Sequence, residues 1–125
     1  MNQLPLGRLC SVQGTDKQFN FSVAITALEL MKGLARVPNM APYDGMIFDF
    51  GCDFSPIMTP SGLEFPVDLA FITAGGEIVE IHKLDPDYRF TQGTSLRNIQ
   101  YALEVPVGFF DLHGIVVGDF LILNQ

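Results

Sequence analysis

Gly45-Met46-Ile47-Phe48-Asp49-Phe50, a Pro/Gly-broken stretch over 51–65, and then Pro66-Val67-Asp68-Leu69-Ala70-Phe71-Ile72 decide the fold of this chain. Met46 to Phe50 is a short apolar run bounded by turn residues, which reads as a strand. Val67, Leu69 and Phe71 alternate with Asp68, Ala70 and Ile72, so a second strand presents two different faces. Gly75-Gly76 is a hairpin signal. Ile78-Val79-Glu80-Ile81-His82-Lys83 then returns antiparallel.

The same grammar continues outward. Upstream, Leu4, Leu6, Leu9 and Val12, interrupted by Pro5 and Gly7, read as an arm or edge segment over 1–18. Phe19, Phe21 and Val23 alternate with Asn20 and Ser22, a half-buried strand. Thr26-x-x-Glu29 is a capping box opening a helix over 26–33, with Gly33 placed to end it in the left-handed conformation. Downstream, 84–97 is a polar loop around Pro86. Ile99, Tyr101, Leu103 and Val105 then alternate with Gln100, Ala102 and Glu104 up to Pro106. Residues 107–113 read as a helical turn or two closed by Gly114, and Phe120 to Leu123 as the last strand. About seven strands and no βαβ rhythm predict a mostly β chain: a compact antiparallel β-barrel or sandwich with one or two short helices, forming a single domain over 19–125.

Composition bounds the function. The chain has 125 residues, 48% hydrophobic and 17% charged, enough apolar content to order a core. Eleven Phe and no Trp point to a core of Phe, Val, Ile and Leu. A formal charge of −7 repels phosphate backbones and anionic lipid surfaces, so nucleic acid and membrane are poor partners. No apolar run has the length of a membrane span. The first residues lack the basic and apolar regions of a signal peptide, which implies a cytoplasmic protein. Cys10 and Cys52 then read as reduced thiols.

The order of these pieces resembles the family called domain of unknown function 192 over about residues 19–124. The family's helix ends in Gly-Leu-Met-x-Arg; here Gly33-Leu34-Ala35-Arg36 stands in its place, with Ala for Met. Gly45 to Phe50 matches its Gly-Met-Leu-Phe-x-Phe strand, and Pro66 to Ile72 its Pro-Leu-Asp-x-Ala-Phe-Ile element. Leu103-Glu104-Val105-Pro106-Val107-Gly108 matches Leu-Glu-x-Pro-x-Gly, and Gly114 to Asp119 matches Gly-Ile-x-x-Gly-Asp. The family's Trp-Met-x-Asn-Thr motif is missing: Ile57 to Phe65 carries neither its Trp nor its Asn. The resemblance implies a small barrel-like β fold with one or two short helices, and no agreed reaction, cofactor or ligand. Relatives in bacteriophage genomes add a virion location to the expectations.

Three polar residues are the candidate ligand-binding set. Asp68 lies on the Ala70/Ile72 face of its strand and Glu104 on the Gln100/Ala102 face of its own; Arg36 is placed to bridge to one of them if the strands are neighbours. A guanidinium among partly buried carboxylates grips a small polar ligand, and two carboxylates in different environments divide acid and base roles. The plainer reading is a structural ion pair or carboxylates capping backbone groups. His113, before Gly114, complements a helix dipole, and His82 faces solvent. There is no nucleophile elbow, phosphate loop, metal-ligand spacing or cofactor signature, so no catalytic residue, metal or cofactor is assigned. Phe54, Ile57, Met58, Leu63 and Phe65 make the 51–65 loop a candidate interaction surface, unless they plug one end of the barrel.

Two function classes follow. The first is a non-enzymatic binding or interaction module with a protein partner or self-association, its arm tied down by an assembly or by the domain itself. The second is a small-molecule binder or enzyme using Arg36, Asp68 and Glu104.

Overall fold

The central strands are apolar on both faces, and the architecture follows from that. In the computed structural model, which describes residues 4–123, the elements are β1 (Gly7–Val12), β2 (Gln18–Ala24), α1 (Ala27–Lys32), β3 (Gly45–Phe54), β4 (Val67–Thr73), β5 (Ile78–Leu84), β6 (Ile99–Pro106), α2 (Phe109–His113) and β7 (Leu121–Ile122). They form one curled seven-stranded sheet, a half-barrel, in the order β5-β4-β6-β3-β2-β1-β7. The mostly β fold with two short helices agrees with the sequence.

Val67, Leu69, Ala70, Phe71 and Ile72 of β4 are all buried, as are Ala102, Leu103, Glu104 and Val105 of β6. Strands dry on both faces need two cores. Inside the curl, Phe21, Ile47, Ala70, Ile72, Leu103 and Val105 pack with Phe109 and Phe110 of α2. Outside it, Met46, Phe48, Leu69, Phe71 and Ala102 lie under Leu34, Val37, Met40, Met58 and Leu63. Each such aliphatic or aromatic side chain contributes roughly 1.5–3 kcal/mol by leaving water.

Local chemistry sets the boundaries. The capping box of α1 forms: the Thr26 hydroxyl accepts from Glu29 N–H (3.2 Å), and the Glu29 carboxylate accepts from Thr26 N–H (3.0 Å) and Ile25 N–H (3.0 Å). Gly33 ends the helix with φ 48° and ψ −127°, outside the left-handed helical region expected of it. Its lack of a side chain serves packing instead, because a Cβ there would sit 2.9 Å from the Phe48 ring.

Three further expectations are corrected. β3 runs on to Phe54 instead of stopping at Phe50, because a register shift between Asp49 and Phe54 lets pairing with β6 resume at Ile99. Asp49 holds that irregular stretch by accepting from Gly51 N–H at 2.9 Å. The sheet contains one parallel pair, β2 with β3, the α1 segment supplying the crossover. Residues 7–12, read as part of an arm or edge segment, form β1 inside the sheet, paired with both β2 and β7; residues 1–3 of that segment and the last two of the chain lie outside the described residues.

The two ends of the sheet meet. Gly76 O accepts from Leu121 N–H (2.9 Å), Asp119 O from Ile78 N–H (2.9 Å), and Ile78 O from Gly118 N–H (2.8 Å). The β4–β5 turn is thereby stitched to the β7 strand. Among the described residues, no helix is long and apolar enough to cross a membrane.

Gly45 begins β3 where the backbone of β6 presses against it. A Cβ at Gly45 would stand 2.6 Å from Glu104 O and 2.7 Å from a Val105 methyl. Gly45→Ala therefore overpacks a site walled by backbone and should destabilise the fold by about 1–3 kcal/mol, read as a lowered urea midpoint with an unchanged m-value.

Candidate functional site

Glu104 is the buried carboxyl of this fold. Its direct cross-strand neighbours are Leu69 on β4 and Met46 on β3, both buried. Facing residues of paired strands share a face, so the Glu104 side chain leaves the sheet on its outer side, into the second core. The residue is 2% exposed.

The layer above it consists of the turn after α1 and the 57–63 loop. Arg36 N–H donates to Gly62 O at 2.7 Å, which ties the two segments together. Between them a cleft of about 90 Å³ reaches down to Glu104. Leu34, Phe48, Met58 and Leu63 form its buried walls, and Lys32, Thr59 and Ser61 stand exposed at its mouth.

Among the described residues, no hydrogen bond or ion pair is made to the Glu104 carboxyl. Yet no fully sealed side-chain oxygen or nitrogen among them lacks a partner. The carboxyl therefore touches the open space of the cleft. Burial in this apolar setting pushes its pKa up to about 8, so at neutral pH it is mainly the protonated acid, able both to donate and to accept.

The other two members of the candidate set do not converge on Glu104. Asp68 pairs across the ladder with Val105, one position off Glu104, so the two carboxylates point to opposite faces of the sheet. The Asp68 carboxylate instead accepts from Gly108 N–H at 2.9 Å and pins the turn into α2, the backbone-capping role. Arg36 is exposed, with φ 62°, and enters the site through its backbone N–H. The expected pocket of Arg36, Asp68 and Glu104 is thus replaced by a cleft in which Glu104 alone supplies the acid.

The candidate interaction loop also divides. Met58 and Leu63 are each 8% exposed and belong to the outer core, and Phe65 packs against it. Phe54 ends β3 and lies 5.1 Å, ring to ring, from Phe50. Ile57 alone of the five is strongly exposed, at 72%. The loop covers the outer face of the sheet rather than plugging an end of the curl.

His82 is not simply solvent-facing. Its Nε2 lies 2.6 Å from the Glu80 carboxylate, and Thr94 Oγ1 donates to the other Glu80 oxygen at 2.5 Å. Burial raises the Glu80 pKa, but the hydrogen bonds of Thr94 and His82 outweigh it and hold the carboxyl below its ordinary value. The Thr94 hydroxyl bonds the carboxylate and not the imidazole, so this trio lacks the nucleophile–base contact that acyl transfer needs. Thr94 carries no signal in the sequence, since it lies in a polar loop. His113 ends α2 as expected, its ring 4.6 Å from Phe109 and 4.8 Å from Phe19. Cys10 is buried, which pushes its thiol up to about 11; Cys52 is exposed, and both are free. No group of three or more His, Cys, Asp or Glu among the described residues is arranged to hold a metal ion.

The family model DUF192, Uncharacterized ACR, matches residues 9–123, nearly the whole chain. No curated protein matches it. Among solved structures, a protein from Sinorhizobium meliloti 1021 described as a candidate transcription regulator is 25% identical with a TM-score of 0.87, over 98% of this chain and 97% of that one. A protein of unknown function from Novosphingobium aromaticivorans shares the fold at 22% identity and a TM-score of 0.79, over 93% of this chain and 84% of that one.

Glu104 makes stability depend on pH. Its folded pKa of about 8 lies above the ordinary value of 4.5, so the folded state holds the proton more tightly than the unfolded one. The associated stability is fully present below about 4.5 and is lost as pH rises to about 8, at about 1.4 kcal/mol per pH unit. Urea titrations at pH 5 and pH 8.5 should show the wild type losing about 4 kcal/mol and Glu104→Gln losing far less. Equal pH dependence in the two proteins would refute this account of Glu104.

Proposed function

This chain belongs to the DUF192 family, and we propose that it is a non-enzymatic binding domain whose ligand enters the cleft over Glu104. One observation carries the reading: the carboxyl of a residue only 2% exposed reaches the floor of an open cleft without a hydrogen-bond or ion-pair partner among the described residues. Burying such a group costs free energy that a structural ion pair or hydrogen bond would normally offset. A site kept ready for an incoming polar group accounts for that cost.

The lining favours binding over catalysis. Among the described lining residues, Glu104 and Lys32 are titratable, and the rest are apolar, small or hydroxylic. Among these described residues neither a second carboxylate nor an imidazole shares acid and base roles with Glu104. The volume of about 90 Å³ suits a group of a few heavy atoms, well below a drug-sized pocket of roughly 300 Å³ or more.

A protein partner is the natural carrier of so small a group. Leu28, Met31 and Ile57 are 79%, 82% and 72% exposed on the helix and loop that frame the mouth, giving a partner apolar surface to cover. The regulatory role suggested for the Sinorhizobium relative would then run through a ligand or protein contact, since a charge of −7 opposes docking on DNA.

Methyl NMR with a library of small polar fragments tests the reading. Binding fragments should shift the Met58, Leu63 and Leu34 methyl signals in the wild type and leave them unmoved in Glu104→Leu. Silence of these methyls across the library, together with a gain in stability for Glu104→Leu, would mean that Glu104 is only a structural remnant.

A further inference from the structure

We propose that the cleft over Glu104 takes a primary alkylammonium group on an unbranched apolar stem, with the ammonium seated against the Glu104 carboxylate; this rests on the binding reading above and names its ligand class. The cleft matches such a group at both ends. At the floor, Glu104 is the acidic residue among the described lining. An ammonium brings three donors and a charge, and a charge-assisted hydrogen bond is about twice as strong as a neutral one. Along the walls, Leu34, Phe48, Met58 and Leu63 present apolar surface to a methylene stem, as apolar surfaces do to lysine stems elsewhere. The space, about 90 Å³, admits a short chain and few waters beside it.

The surroundings leave that charge position open. Across the ladder Glu104 meets Leu69 from β4 and Met46 from β3, both uncharged. From the 57–63 loop the polar groups at the mouth are the hydroxyls of Thr59 and Ser61. The charged lining residue on α1 is Lys32, which is exposed and turns its Nζ toward Ala35 O at 3.5 Å. Asp68 is on the opposite face. The net charge of −7 draws cations toward the molecule as a whole.

Seating the ammonium expels a proton. The Glu104 O–H bond breaks, its proton bonds to a buffer base, the electron pair stays on the carboxylate, and N–H···O hydrogen bonds from the ammonium take the proton's place; no bond between heavy atoms changes. A free alkylamine and a lysine side chain of a partner protein share this chemistry.

Calorimetry of the full chain with n-butylamine, Nα-acetyl-lysine-N-methylamide and butan-1-ol, from pH 6 to pH 9 in two buffers of different ionisation enthalpy, tests the assignment. Butylamine should bind with release of about one proton near pH 6–7, its affinity rising about tenfold per pH unit toward pH 8 and then levelling. Glu104→Gln should lose at least tenfold, and so should Thr59→Trp, which blocks the mouth from an exposed position and leaves the core intact. Binding of the lysine derivative as well points to a partner's side chain, and binding of butylamine alone to a free amine. Butanol binding as tightly as butylamine, or affinity that ignores pH, overturns the ammonium while the cleft reading stands. Silence of all three probes overturns it too; silence in the fragment experiment as well removes both readings.

Discussion

A β-strand pair that is dry on both faces is the constraint on which the rest of this molecule depends. β4 and β6 lie side by side in the sheet, second and third from one edge, and most residues of each are buried. Curling the sheet covers one face with its own far strands and α2. The other face must be covered by something that is not sheet, and the chain supplies the turn after α1 and the loop over 57–63. These two segments serve first as a lid on apolar surface. A cleft opens where they meet, and Glu104 lies beneath it.

Much of this was legible in the residues. Alternation placed Asp68 and Glu104 on the correct faces of their strands, because side-chain direction has a period of two that local sequence reports faithfully. The capping box fixed the start of α1 for the same reason: its partners are three residues apart. Whether the two carboxylates meet depends on register between β4 and β6, and an offset of one residue sends them to opposite sides. Register is a non-local property that neither strand encodes alone. The same limit hid the parallel β2–β3 pair and the path of β3 past Asp49, where pairing resumes only because Ile99 of β6 is there to meet Phe54.

Loops were legible as apolar but not as inward-facing. Met58 and Leu63 have the composition of an adhesive surface and the burial of a core. In a segment without periodicity, what distinguishes the two roles is whether a bare sheet face lies beneath. The Glu80–His82–Thr94 contact has the same origin, since it joins a strand to a loop residue 14 positions away from Glu80. The cleft mouth, made by Lys32, Thr59 and Ser61 from two such segments, is likewise a product of assembly.

The seam between the β4–β5 turn and the last strand has a consequence for how this chain is made. β7 pairs with β1, the first strand, and Leu121 bonds to Gly76. Of the seven strands β1 is made first, yet its outer edge stays open until Leu121 and Ile122 have followed. The half-barrel is therefore closed by the strand made last of the seven, and loss of β7 would leave two unstitched strand edges open to pairing with other chains. The two-residue β7 thus acts as a clasp whose importance to a nascent or truncated chain is far larger than its length.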